Sequence, residues 1–248
     1  MQEPSPIFTL PLFPLHHVLF PFIPLQLHVF EERYREMIDH CLETNRPFGV
    51  VLIQDGEEVG ESATPHNVGC LARILGVQRL DDGRMYLIAA GEQRFRLLDY
   101  IEGDKPYLVG QVELLEEELA SEDNESILET KAESTRVLFL TYLTILAEKT
   151  NMELSEVDLP EDALQLSFCI AAIAEFSPLE KQQLLETTDA TKRFELEAVL
   201  LQAQIEEWKR QALEESSENS ENEQRYIIAR SLDPERDQWK TYLDQSRN

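Results

Sequence analysis

Basic side chains are scarce. The 248-residue chain holds 22 Lys and Arg against 48 Asp and Glu, a formal net charge of −26. The acid excess is carried by both halves of the chain. A surface of that sign repels phosphate backbones and anionic lipid headgroups, which argues against nucleic acid and membrane as partners. Its plain consequence is a well-dispersed protein. Cysteine is scarce too. Cys41, Cys70 and Cys169 lie far apart and match no metal-ligand spacing. A reducing interior fits them better than a secreted, disulfide-built fold. No apolar run is long enough to cross a bilayer, and the first apolar stretch is broken by Pro11, Pro14, Pro21 and Pro24. The start, Met1-Gln2-Glu3-Pro4, has no basic signal-peptide region. A cytoplasmic location is expected.

Catalytic and nucleotide-binding motifs are absent as well. There is no G-x-x-x-x-G-K-[ST], no G-x-G-x-x-G opening a helix, no H-E-x-x-H and no G-x-S-x-G elbow. His16, His17 and His28 have no carboxylate or third His at ligand spacing, so no metal or cofactor is expected. Runs such as Glu116-Glu117-Glu118 read as solvated faces and not as acid–base pairs. The chain is expected not to be an enzyme.

What is present divides near residue 117. Residues 1–117 read mainly as strands. Ile7–Leu15 is apolar but punctuated by proline, which suits an edge strand. Leu25–Phe30 alternates as a half-buried strand. The period then changes: Tyr34, Met37, Ile38, Cys41 and Leu42 share one face of a helix over Glu31–Thr44, which Pro47 ends. Further strands are predicted at Phe48–Ile53, Val68–Leu80, Met85–Ala90, Phe95–Tyr100 and Tyr107–Leu115, with a type I′ turn at Asp82-Gly83.

Residues 118–213 read as helices, after an acidic connection at Glu116–Asn124. Helices are predicted over Ile127–Lys149, from a capping box at Asp158 and Glu161 to Phe176, from Ser177-Pro178-Leu179-Glu180 to Leu185, and over Thr191–Leu213. Glu214–Glu223 contains no apolar residue and reads as an acidic flexible linker. The tail, 224–248, is apolar again, with Trp239 and Tyr242, and docks either on its own domain or on a partner.

Several segments then occur in a recognisable order: Leu10-Pro11-Leu12-Phe13-Pro14-Leu15, Val18-Leu19-Phe20-Pro21, Phe48-Gly49-Val50, Val68-Gly69-Cys70-Leu71-Ala72, Gly91-Glu92-Gln93-Arg94-Phe95-Arg96 and Lys181-Gln182-Gln183-Leu184-Leu185-Glu186, followed by Arg193. As an ordered set they resemble the N-terminal, substrate-recognition domain of Lon proteases over about residues 7–205. The ATPase and protease motifs that follow it there are missing, so a stand-alone form is expected. Two departures stand out. Phe22 occupies a position where that family often has Gly, and the stretch after Trp208 has no evident counterpart.

The resemblance implies an α+β fold, a PUA-like β pseudo-barrel followed by a C-terminal α-helical bundle. It also implies recognition of unfolded or degron-bearing protein segments by a non-catalytic adaptor. Such a role leaves room for a separate protease or chaperone as partner, and for self-association. The residues offer a weaker, independent pointer. Phe13, Leu19, Phe20, Phe22 and Ile23 crowd a proline-stiffened segment with no charge between Thr9 and Phe30. Phe13, Phe20, Phe22 and Ile23 are the candidate peptide-binding residues, because an exposed apolar patch marks a binding site. The competing reading buries them as barrel core. Arg33, Arg94 and Arg96 are expected to pair with nearby carboxylates. The rival functions are a small-molecule or modified-residue pocket in the barrel and, less well supported, a peptidase-related hydrolase.

Overall fold

The computed structural model describes residues 6–60, 63–101, 103, 105–118, 122–153 and 157–231, with the side chains of 122–124 and 215–231 left undescribed. The β-strands are β1 (Phe8–Leu15), β2 (Pro24–Val29), β3 (Phe48–Asp55), β4 (Thr64–Arg79), β5 (Met85–Ile101) and β6 (Val109–Leu114). The helices are α1 (Glu32–Thr44), α2 (Glu122–Thr150), α3 (Ala163–Ile173), α4 (Pro178–Glu186) and α5 (Ala190–Ser231). The fold is α+β, as expected.

The strand pairings β1–β3, β3–β4, β4–β5, β5–β6 and β6–β1 run round a closed ring, and β2 pairs with the first half of β5. The two strands expected at Met85–Ala90 and Phe95–Tyr100 are one long strand, β5. Its first half pairs with β2 and its second half with β6. A β-bulge joins the halves: Cys70 faces Arg94 while Ala72 faces Gly91, so β5 spends one more residue than β4. An extra residue exchanges the two faces of a strand. Met85, Leu87 and Ala89 accordingly pack with α1, whereas Phe95 and Leu97 pack in a second cluster with Leu10, Leu12 and Val112.

β1 is not the edge strand its prolines suggested. Phe8–Pro11 pairs with β6 and Leu12–Leu15 pairs with β3. Each half is registered against a different neighbour, so Pro11 and Pro14 are accommodated in an interior strand. The hairpin at Asp82-Gly83 also differs from expectation. Only Gly83 has positive φ, 85°, and the turn closes through Gly83 N–H to Leu80 C=O at 3.0 Å. A type I′ turn needs positive φ at both central residues, so this is the longer, glycine-closed loop.

Among the helices, the capping box at Ser177 and Glu180 forms as read. α3 starts later than expected, at Ala163. Its N-cap is Asp162, which accepts Gln165 N–H at 2.8 Å, and not Asp158. α5 continues through the segment expected to be an acidic flexible linker, so 214–223 is helical. Alternating Glu, Ser and Asn lacks apolar anchors but contains no proline or glycine to stop a helix already under way. The expected docking of the tail concerns mostly residues 232–248, which lie outside the described residues.

The acidic connection near residue 117 does not separate two bodies. Residues 1–201 form one compact unit and 202–248 a second. Within the first, Gln182 Nε2 donates to the Val68 carbonyl at 3.0 Å and Glu118 N–H to the Thr188 carbonyl at 3.1 Å. These contacts fasten α4 and the chain after it to the strands.

Candidate functional site

The loop from β1 to β2 is the place to look, because its residues were expected to bind. The structure separates them. Phe13 is buried and stacks on Tyr34, with ring centroids 4.1 Å apart. Phe20 is fully buried. Ile23 is half-buried against the core. Phe22 alone presents its side chain, 52% exposed. Phe13 and Phe20 are therefore core residues. Phe13 stacks on Tyr34, and Phe20 meets Phe168 at a tilt.

The reason lies in the turn. Phe20-Pro21-Phe22-Ile23 closes through Ile23 N–H to Phe20 C=O at 3.3 Å. Pro21 fixes the second position and Phe22 takes φ 68° at the third. Turns of this kind ordinarily place Gly or Asn there, because an L side chain in that conformation costs about 1–3 kcal/mol. The loop is then bolted to β5 from both directions. Phe22 N–H donates to Gly91 C=O at 2.8 Å, and Gly91 N–H donates to Ile23 C=O at 2.9 Å. Gly91 permits this approach, since a Cβ there would lie 2.0 Å from the Phe20 carbonyl oxygen. Across this turn Phe20 goes in and Phe22 goes out.

Both rings nevertheless reach one residue of α3. Phe168 lies 6.1 Å from Phe20 and 6.3 Å from Phe22 by ring centroid. Between Phe22 and α3 a cleft of about 260 Å³ opens, lined by Pro21, Phe22, Leu115, Leu164 and Phe168, with Glu92, Gln93, Arg94, Glu116 and Glu117 around them. Its floor is apolar and its rim is mostly acidic.

A buried ionic network holds that floor. The guanidinium carbons of Arg193 and Arg94 lie 4.3 and 5.4 Å from the Phe168 ring centre, within cation–π range. Arg94 pairs with Glu117 and donates to the Leu185 and Thr187 carbonyls, each at 2.7 Å. Arg193 reaches the same carboxylate at 3.2 Å and the same Thr187 carbonyl at 2.7 Å. Its Nε donates to Ser167 Oγ at 2.8 Å, and that hydroxyl donates to Glu197 at 2.6 Å. Burial pulls Arg94 down to about 10, against the pull of Glu117. Burial pushes the Glu197 carboxyl up to about 8, with Ser167 and Arg193 opposing. The network joins β5, the segment after β6, α3 and α5, and so fixes Phe168 beneath Phe22. The expected structural pairings of Arg33 and Arg96 are also present, to Glu31 at 3.1 Å and Glu113 at 3.6 Å.

Sequence reasoning missed Phe168, Leu164 and Glu117 as parts of this cleft. They come from segments more than ninety residues beyond the loop, and no local pattern ties them to it. The one available signal was Phe22 itself, a bulky residue where a tight backbone calls for glycine. No group of His, Cys, Asp and Glu among the described residues is arranged to hold a metal ion. No helix among them is long and apolar enough to cross a membrane.

Comparison with known proteins agrees with the architecture. Residues 9–227 match the family of the ATP-dependent protease La (LON) substrate-binding domain. The chain belongs to that family. The match extends past Trp208, where the sequence had offered no counterpart. Among curated relatives, Lon protease 1 of Syntrophobacter fumaroxidans is 31% identical over 78% of this chain and 24% of its own length. Lon protease 2 of Herpetosiphon aurantiacus is 29% identical over 79% of this chain and 24% of its own length. The chain thus spans about a quarter of the curated relatives it matches. Among solved structures, a Lon N-terminal domain protein from Xanthomonas campestris aligns with TM-score 0.54 at 29% identity, covering 76% of this chain and 95% of that one. The N-terminal domain of Lon protease from Mycobacterium avium complex aligns with TM-score 0.59 at 18% identity, over 79% and 98%; that likeness concerns the fold.

Proposed function

We propose that this chain recognises unfolded or degron-bearing protein segments without catalysing anything itself, and that the cleft between Phe22 and Phe168 is where it holds them. Membership of a substrate-binding family supports recognition of protein substrates. The observation that carries the cleft is Phe22: an aromatic kept about half exposed, in a backbone conformation that disfavours it, on a turn held to Gly91 of β5 by two backbone hydrogen bonds. A rigid loop loses little freedom on binding, so more of the contact energy appears as affinity. The acidic rim, Glu92 and Glu116, favours segments in which Lys or Arg flanks an apolar residue.

The test is Phe22→Gly. Full burial of an aromatic contributes on the order of 1.5–3 kcal/mol, and Phe22 has about half of its surface left to bury. Affinity for a reduced and alkylated, permanently unfolded protein falls about tenfold, since roughly 1.4 kcal/mol is one decade. Glycine suits the positive φ, so thermal melting stays nearly unchanged. Unaltered binding by a normally folded variant removes the cleft from the site. Turnover of ATP or of unfolded casein by the rigorously purified chain overturns the non-catalytic reading, which rests on the missing P-loop and activated nucleophile.

A further inference from the structure

A second concavity lies on a different wall of the barrel, between the start of β1, the end of α1 and the connection from β5 to β6. Its volume is about 620 Å³, more than twice that of the Phe22 cleft. That size lies within the range of small-molecule sites. Phe8, Ile101, Tyr107 and Val109 contribute its apolar wall, and Arg46 and Lys105 its charge.

Charge is the unusual feature. In a chain with 48 acidic residues, no described residue lining this cavity is Asp or Glu. Most other cations in the strand-rich part are neutralised: Arg33, Arg73, Arg79, Arg84, Arg94 and Arg96 each face a carboxylate, while Arg35 has no such pair among the described residues. The side chains of Arg46 and Lys105 make no ion pair or hydrogen bond among the described residues. Both precede a proline, Pro47 and Pro106. A residue before proline is restricted to extended backbone, which limits where its side chain can go. Two uncommitted cations on stiffened backbone thus meet at an apolar cavity. His40, Thr9 and Thr44 add uncharged polar groups to the lining.

The geometry points to a binding site for a free organic acid, an alkyl or aryl tail ending in one carboxylate. The tail fills the apolar cavity and the carboxylate lies between Arg46, whose planar fork matches it, and Lys105. Such a ligand supplies a negative charge that no described lining residue provides, and removes apolar surface from water in one step. An uncharged tail leaves both cations unused, and a cationic amphiphile is repelled. The site is independent of the Phe22 cleft, because no lining residue is shared between the two.

Calorimetric titration with decanoate, below its micelle concentration, tests this. The expected result is saturable one-to-one binding. Decanol binds at least tenfold more weakly, and Arg46→Gln with Lys105→Gln weakens decanoate at least tenfold. Both residues are exposed, so the variant keeps the parent's melting temperature. Phe22→Gly leaves decanoate affinity unchanged, which separates this site from the client cleft. Equal affinity for decanol, indifference to the double substitution, or no saturable heat overturns the assignment. So does binding of an apolar peptide with a free C-terminal carboxylate where decanoate fails.

Discussion

Two tight turns in this protein place one residue at positive φ, and they fill that position differently. The hairpin joining β4 to β5 uses Gly83, at 85°. The loop joining β1 to β2 uses Phe22, at 68°. A turn that only has to reverse the chain takes the residue that adopts the conformation freely. A turn that keeps a bulky aromatic there accepts local strain, and such strain concentrates at functional sites. The difference singles out Phe22, whereas Phe20, two positions before it, is fully buried.

The largest effect is expected where the comparison is broken from inside. Phe20→Ala empties a fully buried site and lowers stability by about 3–5 kcal/mol in urea unfolding. The aromatic two positions on behaves oppositely: Phe22→Gly changes stability by less than about 1 kcal/mol, because relief of strain offsets the lost contact with Phe168. Similar losses from both substitutions would show that the loop packs as a unit and that Phe22 is merely the exposed end of the core.

Gly83→Ala transfers the strain to the turn that avoids it. A Cβ there meets the Arg35 guanidinium, the movable end of a side chain, at 2.4 Å, so the backbone conformation sets the loss. About 1–2 kcal/mol is expected, read as a lower urea midpoint with an unchanged slope. A neutral outcome would mean that positive φ is tolerated cheaply in this fold, and Phe22 would lose its distinction.

The smallest effect concerns the network under Phe168. The folded pKa of Glu197, about 8, lies above its ordinary value of 4.5. Its contribution is therefore fully present below pH 4.5 and is lost as pH rises through 8. Glu197→Gln removes that dependence. Melting temperatures followed from pH 5 to pH 9 should fall less in the variant than in the parent, by about 3 °C or more at the alkaline end, the shift expected for roughly 1 kcal/mol in a domain of this size. Parallel curves would mean that Glu197 is ionised throughout and held by Arg193.

Much of the fold was legible beforehand because its signals are local. The apolar stripe of α1, the Ser177 capping box and the strand alternation each act within a few residues, and they reappear in place. The fusion of two expected strands into β5 was not legible. A bulge is a property of pairing, and it hides the continuity by exchanging the faces halfway along. The helical path of 214–223 was missed for the converse reason: composition signals the lack of a buried face, but an established helix propagates through polar residues that do not break it.

The sequence by itself determined the family, the α+β class, the missing catalytic motifs and the strangeness of Phe22, because each is written in consecutive residues or in their order. Only the tertiary structure decided which aromatic faces outward. Phe20 and Phe22 flank the same proline with nearly the same local chemistry, and two backbone hydrogen bonds to Gly91, far along the chain, set the turn that buries one and exposes the other. The tertiary structure also gathered Arg46 and Lys105 at one apolar cavity. Convergence of distant residues depends on how strands and helices close on one another, and no short-range pattern encodes that.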